Sequence, residues 1–332
     1  MNMISSRQIE LLKRIIEEYV RTVKPVSSKS LCEDMNCSSA TIRSEMSALE
    51  ELGLLEKTHT SSGRIPSEKG YRFYVDHIMQ PKDLSEEDLG KLQVILNNNA
   101  LTLSDVVTTS MKIISELTNY TAVVLGTSSS FNCVSRIEVV PLSDMKLIAI
   151  VITDKGHVEH RTMTIEEPVS LEEIKQTVDI INKIVIGTPI DEVSGKLELE
   201  VKPVINMYVK QHEVLYHAFY DAFNTFTTGT NVKFQGTNNI LKQPEFQDDA
   251  KKIRDILNKF EDQELINNIK EEDSGINVYI GSETGFDEDV TIIKTKYSFH
   301  GEEGTIALIG PKRMEYDRVT SLLNYITDHM ND

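Results

Sequence analysis

The sequence has no tryptophan, few aromatic residues and three cysteines in 332 residues. Three thiols cannot all pair. Cys32, Cys37 and Cys133 also lack the CxxC spacing of zinc modules, so neither a disulfide scaffold nor a zinc finger is expected, and the thiols read as small packed side chains. No apolar run reaches the roughly 18 residues of a membrane helix. The opening stretch, MNMISSRQIELLKRIIEEYV, carries charge throughout, unlike a signal peptide. A cytoplasmic protein with no membrane partner is the expectation. The histidines are scattered, and the closest pair, His157 and His160, sits at odd spacing on an expected strand, which points the two rings to opposite faces. No metal site follows. No set of nucleophile, base and orienting residue is present, nor any hydrolase, kinase or P-loop signature, so the chain is not read as an enzyme and no cofactor is expected. GSETGFDEDV contains Gly281 and Gly285 but does not open an apolar helix, which argues against a phosphate loop. In IGPKRMEY, Lys312 and Arg313 begin a helix, while Gly310 and Pro311 are what a strand-to-helix turn needs.

The net charge of −17 opposes nucleic-acid binding at first sight, because phosphate repels an acidic body. Its distribution reverses the inference. Residues 1 to 79 hold 11 basic and 11 acidic residues, leaving 24 and 41 of the chain's 35 and 52 to the remainder. The first eighty residues are neutral, and the stretch from Lys57 to Arg72 contains Lys57, Arg64, Lys69 and Arg72 against Glu68 alone.

These eighty residues read as a winged helix-turn-helix. Ile9, Leu12, Ile15, Ile16, Tyr19 and Val20 recur at helical spacing. After Pro25, Ser27 or Ser28 is placed to cap a short helix carrying Leu31 and Met35. SSATIRSEMSALEELG then gives a third helix with Ile42, Met46, Leu49 and Leu52 inward and Gly53 as its stop. Its outer face is small and hydroxylated, which lets a backbone approach base edges in a major groove. Leu54 to Thr58 and Arg64 to Ile65 form a hairpin, or wing, stopped by Pro66. SEKGYRFYVDHIM closes the module as a helix whose Tyr71, Tyr74, Val75 and Ile78 face a core. The expected DNA-binding residues are Arg43 and Ser44 on the recognition helix, with Lys29, Ser38, Ser39, Thr41, Ser47, Lys69 and Arg72 positioning the backbone. Lys57, His59 and Arg64 serve the wing.

The blocks PVSSKSL, SSATIRSEMSALEELGLLEK, HTSSGRIPSEKGYRFYVD and IGPKRMEYDRV, in this order and spacing, resemble the HrcA family of heat-inducible transcription repressors. The resemblance implies a repressor of chaperone operons of the groE and dnaK type. It would bind double-stranded DNA at the CIRCE inverted repeat as a homodimer and be modulated by the GroEL chaperonin. Ser27, Ser44 and Ser62 stand where the family commonly has Gly, Asn and Ala. Ser44 matters most, since Asn pairs bidentately with adenine and Ser does not.

Beyond a linker at 81–103, strands are read at Thr121 to Leu125, Val134 to Leu142, Lys146 to Thr153 and His157 to Ile165. Helices follow, one with a capping box of Ser170 and Glu173 and another with the stripe Leu215, Phe219, Ala222 and Phe226. After a helix over Asp248 to Lys270, strands return at Ile276 to Ile280, Val290 to Tyr297 and Thr305 to Ile309, before a last helix from Lys312 to His329. The order gives an α+β multidomain chain in which one sheet domain is interrupted. The resemblance makes that sheet domain GAF-like and antiparallel, over 104–165 and 271–332, with an inserted, largely helical dimerisation domain at 166–270. The hairpin 146–165 fits either. The stripe on the second inserted helix is the expected dimer surface. Because GAF-like domains often hold small molecules, a metabolite-sensing winged-helix regulator is the alternative function.

Overall fold

The computed structural model describes residues 4–58, 63–97, 103–125, 133–154, 158–165, 167–208, 212–228, 232–247, 249–262, 269, 275–299 and 302–330. The chain divides into two compact units, one made of Met1–Gly126 with Val232–Asp332, the other of Thr127–Asn231.

The first unit opens with α1 (Ser6–Thr22), held at its start by a reciprocal capping box between Ser5 and Gln8. Its apolar face buries Leu11, Leu12, Ile15 and Ile16. A short α2 (Cys32–Met35) and a turn lead to α3 (Ser39–Glu51), capped by the Ser38 hydroxyl, which accepts from the Thr41 amide. Strands β1 (Leu55–Lys57) and β2 (Arg64–Pro66) pair antiparallel as the wing, with Glu56 opposite Ile65. Then α4 (Glu68–His77), capped by Ser67, buries Tyr71 and Tyr74, as their spacing predicts.

Two helices, α5 (Glu86–Leu96) and α6 (Leu103–Thr118), connect this module to β3 (Thr121–Leu125), whose five side chains are all buried. In this unit the chain continues with β7 (Val232–Gln235), α11 (Asn238–Leu241), α12 (Pro244–Gln247), α13 (Ala250–Glu261), β8 (Asn277–Ile280), β9 (Val290–Phe299), β10 (Glu302–Pro311) and α14 (Tyr316–Met330). The sheet order is β7-β3-β10-β9-β8, antiparallel throughout. Alternation along the strands sends Ile293, Ile306 and Leu308 to one face and Ile292, Ala307 and Ile309 to the other. The first face shares a single core with α6, α14 and the winged helix. The second is covered by Ile240, Phe246, Ile256 and Phe260 from the helices after β7.

The second unit holds a three-stranded antiparallel sheet, β4 (Val134–Ser143), β5 (Lys146–Thr153) and β6 (Val158–Thr164), in that order. Helices α7 (Leu171–Val185), α8 (Ile190–Lys196), a π-helical turn at Leu197–Val201, α9 (Lys202–Tyr208) and α10 (His212–Thr228) follow. The expected Ser170–Glu173 capping box is present on α7. Leu147, Ala149 and Val151 of β5 pack against Ile174, Ile181, Leu215 and Phe219.

Two boundaries differ from the sequence reading. The strands from 134 to 164 pair only with one another among the described residues, so the first of them, read into the sheet domain, belongs to the second unit, as does the 146–165 hairpin that the sequence left open. Conversely β7 and α11 to α13, placed in the insertion by sequence, belong to the first unit, because β7 pairs with β3 and the helices cover the sheet.

Candidate nucleic-acid interface

The presentation of α3 is fixed by a set of short-range contacts. Ser28, buried in the turn before α2, hydrogen-bonds the Ser39 hydroxyl at 2.8 Å, tying that turn to the first residue of α3. Ser38 caps the helix, its Oγ accepting from Thr41 N at 3.2 Å and lying 2.9 Å from Thr41 Oγ1. On the inner side Ile42, Met46 and Leu49 are buried in the module's core. Glu45 takes a hydrogen bond from Arg7 Nε of α1 at 3.0 Å, and Glu50 pairs with Arg64 of β2 at 2.7 Å. The recognition helix is thereby clamped to α1 at its middle and to the wing near its C-terminal end.

The face left outward holds Arg43 and Ser44, both exposed, with Thr41 and Ser47 half-buried beside them. Lys29 and Lys57 are exposed as well. Lys69 is exposed but reaches back, its ammonium donating to the Leu52 carbonyl at 2.9 Å at the C-terminal end of α3, where a cation is favourable. Ser38 and Ser39 serve the fold through their hydroxyls while standing at the start of the outward face.

Two expected DNA residues have other duties. Arg64 is not a free cation at the tip of the wing. Its side chain is only 12% exposed and pairs with Glu50. Arg72 lies on the side of α4 that meets the sheet domain: its Nε donates to Glu283 Oε1 at 3.1 Å, an Nη donates to Asp76 at 3.3 Å, and its second Nη reaches the Val278 carbonyl and Glu283. A guanidinium so engaged is a clamp within the protein, and Arg72 leaves the DNA-facing set. His59, assigned to the wing, lies outside the described residues.

The GSET turn explains why α4 is rigidly held. Residues Gly281–Thr284 form one 3₁₀ turn against it. Ser282 donates through its amide to Glu68 Oε2 at 3.2 Å and through its hydroxyl to Glu68 Oε1. Gly281, at φ 56°, has Glu68 Oε2 so near that a Cβ would sit 2.1 Å from it. Beneath, Tyr71 and Tyr74 pack on Tyr316 of α14 with ring centroids 5.9 and 6.5 Å apart. Burial raises the phenol pKa of all three, so they stay neutral; the Tyr316 hydroxyl donates to the Lys312 carbonyl, while that of Tyr71 is buried without a hydrogen-bond partner. Lys312 and Arg313 lie in the turn before α14 and do not begin it; Lys312 pairs with Asp289 at 3.1 Å, and Arg313 donates to Gln243 at 2.9 Å and pairs with Glu245, so this turn is occupied by structural contacts.

Sequence reasoning passed over Glu45, Glu50, Glu68 and Gly70, which position the interface, and read Ser28 as a cap for α2 although its hydroxyl bonds Ser39. Only Gly70 carried a signal, a glycine interrupting a helical pattern, which marks a close approach. Of the expected dimer stripe, Leu215 and Phe219 are fully buried in the second unit's core, so they are not available as a surface. The side chains of Ala222 and Phe226 lie outside the described residues. Among the described residues no group of three or more metal-binding side chains is found, and no helix is long and apolar enough to cross a membrane.

Residues 3–77 match the family described as winged helix-turn-helix transcription repressor, HrcA DNA-binding, and residues 104–320 match the HrcA protein C terminal domain. A curated relative from Bacillus pumilus (strain SAFR-032), "Heat-inducible transcription repressor HrcA", is 38% identical over 99% of this chain and 98% of its own length. A solved structure described as "Crystal structure of a hypothetical protein at 2.2 A resolution" superposes with a TM-score of 0.66 at 25% identity, covering 99% of this chain and 98% of that one. The winged helix, the sheet domain and these likenesses agree along the whole length: the chain belongs to the HrcA family of heat-inducible transcription repressors.

Proposed function

We propose that this repressor acts in the cytoplasm as a symmetric dimer that sets two α3 helices on the half-sites of an inverted repeat of the CIRCE type, upstream of chaperone operons, under the influence of the GroEL chaperonin. The observation that carries the DNA part is the outward face of α3, where Arg43 and Ser44 stand exposed beside small hydroxyl side chains while the opposite face is locked to α1 and the wing. Such a face admits close approach to base edges, and a two-fold dimer mirrors a two-fold operator.

The buried stripe on α10 moves the dimer surface elsewhere. The outer face of β4, β5 and β6 supports that role better. Ile148, Ile150 and Ile152 stand there half-buried, Ile148 opposite Val140 and Ile152 opposite Val158, at exposures of 43% and 54%, with Ile150 between them opposite Glu138 and His160. The same face carries the exposed pair Arg136 and Glu138, so a second copy would find both signs of charge around a matching apolar stripe. Ile150→Asp should yield a monomer in sedimentation that has lost operator protection at concentrations where the parent protects fully. A dimer that survives the substitution refutes this surface.

The experiment for the whole reading is a footprint on an inverted-repeat operator, read against temperature with and without GroEL. Protection of both half-sites that GroEL extends to higher temperature supports the proposal. One half-site only, or occupancy indifferent to GroEL, refutes the dimer or the chaperonin part respectively.

A further inference from the structure

The turn of the helix-turn-helix holds two thiols in one motif. Helix α2 ends at Met35, and Asn36 after it caps it in the left-handed conformation at φ 50°. The Cys37 amide donates to the Cys32 carbonyl at 3.3 Å, and the Asn36 amide to the Glu33 carbonyl at 3.2 Å. This nested pair of backbone bonds is a Schellman motif, which commonly brings the side chains of its two outer residues into contact. Here those residues are Cys32 and Cys37. A disulfide spans Cα atoms roughly 4.4–6.8 Å apart, and these two residues are joined directly by one backbone hydrogen bond. Both are half-buried against the same core, so each keeps a path to solvent.

We propose that Cys32 and Cys37 are a reversible thiol–disulfide site in the DNA-reading module. With a low-molecular-weight disulfide as oxidant, one thiolate attacks a sulfur of the oxidant and expels one thiol, leaving a mixed disulfide on the protein. The second protein thiolate then attacks that protein sulfur and expels the other thiol. Two cysteine thiols are oxidised by two electrons, and the oxidant leaves as two thiols carrying the two protons.

The position gives the bridge a consequence. The Cys32 thiol donates to the Ser28 carbonyl at 3.2 Å, Ser28 Oγ holds Ser39 of α3 at 2.8 Å, and Cys37 directly precedes the cap residue Ser38. Bridging removes the S–H donor and pulls on the cap, so the first turn of α3 loses part of what fixes it. Losing about one net hydrogen bond of positioning corresponds to operator affinity weaker by about fivefold.

The test uses the full chain treated with oxidised glutathione. Trypsin yields Ser30–Arg43, which contains both residues, and cleavage after Glu33 separates them unless they are bridged. The expected result is this peptide lighter by two hydrogens, held together after the second cleavage and released by dithiothreitol. Thiols that stay free, or that each retain glutathione without bridging, overturn the site. This arm needs no operator and is independent of the proposed function. The affinity arm rests on α3 as the reading helix: gel shifts should weaken about fivefold on oxidation and recover on reduction, in Cys133→Ser as in the parent. Cys37→Ser and Cys37→Ala should be insensitive to oxidant. Bridging with unchanged affinity overturns the coupling to α3.

Discussion

Replacing Gly70 by alanine should destabilise the protein, although alanine is the better helix former. Gly70 lies in the first turn of α4, where a Cβ would fall 2.1 Å from the Leu54 carbonyl oxygen and 3.1 Å from its carbon. Neither is the tip of a flexible side chain. The same carbonyl accepts from the Ser67 amide at 3.1 Å, and Ser67 Oγ both caps the Gly70 amide at 2.9 Å and donates to the Gly53 carbonyl at 2.6 Å. Relief therefore means backing α4 away from the wing and straining all three bonds. Overpacking of this kind costs about 1–3 kcal/mol, a weakened cap about 1 kcal/mol, and the gain in helix propensity returns about 1 kcal/mol. The net is about 2 kcal/mol, a fall in Tm of about 4–8 °C for a unit of this size. Gly90 of α5 supplies the control, since a Cβ there meets nothing within 4 Å. Gly90→Ala should stabilise by about 0.5–1 kcal/mol. Thermal unfolding of the two variants side by side decides the matter. If Gly70→Ala matches or exceeds the parent, the close approach does not constrain the module.

If Arg43 reads a base, Arg43→Ala should cost about 1–3 kcal/mol of operator affinity and relax preference at one position. A uniform loss over all sequences, measured by gel shift at fixed salt, assigns it to phosphate. Lys57→Ala should reduce the slope of log affinity against log salt by about 1 if it meets a phosphate, whereas Arg72→Ala should leave that slope unchanged while lowering Tm. A shallower slope for Arg72→Ala would return it to the DNA-facing set. At Asp289 burial favours the neutral carboxyl, but hydrogen bonds from Lys252 and Lys312 outweigh it and hold the pKa below the usual aspartate value. The stability that follows is fully present above the ordinary value near about 3.9 and is lost as pH falls through the lowered one. Asp289→Asn should therefore narrow the stability gap between neutral pH and pH about 3, measured by urea unfolding. An unchanged gap counts against the ion-pair account.

What was legible in the sequence was local. The spacing of Ile42, Met46 and Leu49, the cap at Ser38, the short wing and the Ser170–Glu173 box each depend on residues within a turn or two, and each stands in the structure. Long-range partners were not legible. Arg72 falls on the polar side of its own helix, and nothing near it announces that its counter-ion Glu283 lies 211 residues away. The same limit misplaced the strand that begins at Val134 and left the 146–165 hairpin open. That strand follows β3 directly and reads as its neighbour, yet β3 finds its partners in β7 and β10, more than a hundred residues on. The α10 stripe failed for another reason, since periodicity marks an apolar face without saying whether that face meets its own unit or another molecule.

The pairing of β3 with β7 has a consequence for how such a chain is assembled. Leu125 ends one strand and Val232 begins the other, and the two are direct partners in the ladder. The whole second unit is thus strung between points about 5 Å apart, the spacing of a tight hairpin. A cut at that place leaves two loose ends that an Asn-Gly dipeptide could join. The shortened chain would keep its winged helix, its common core and every strand of the larger sheet, and the excised segment would behave as a cassette, exchangeable among relatives without disturbing the part that reads DNA.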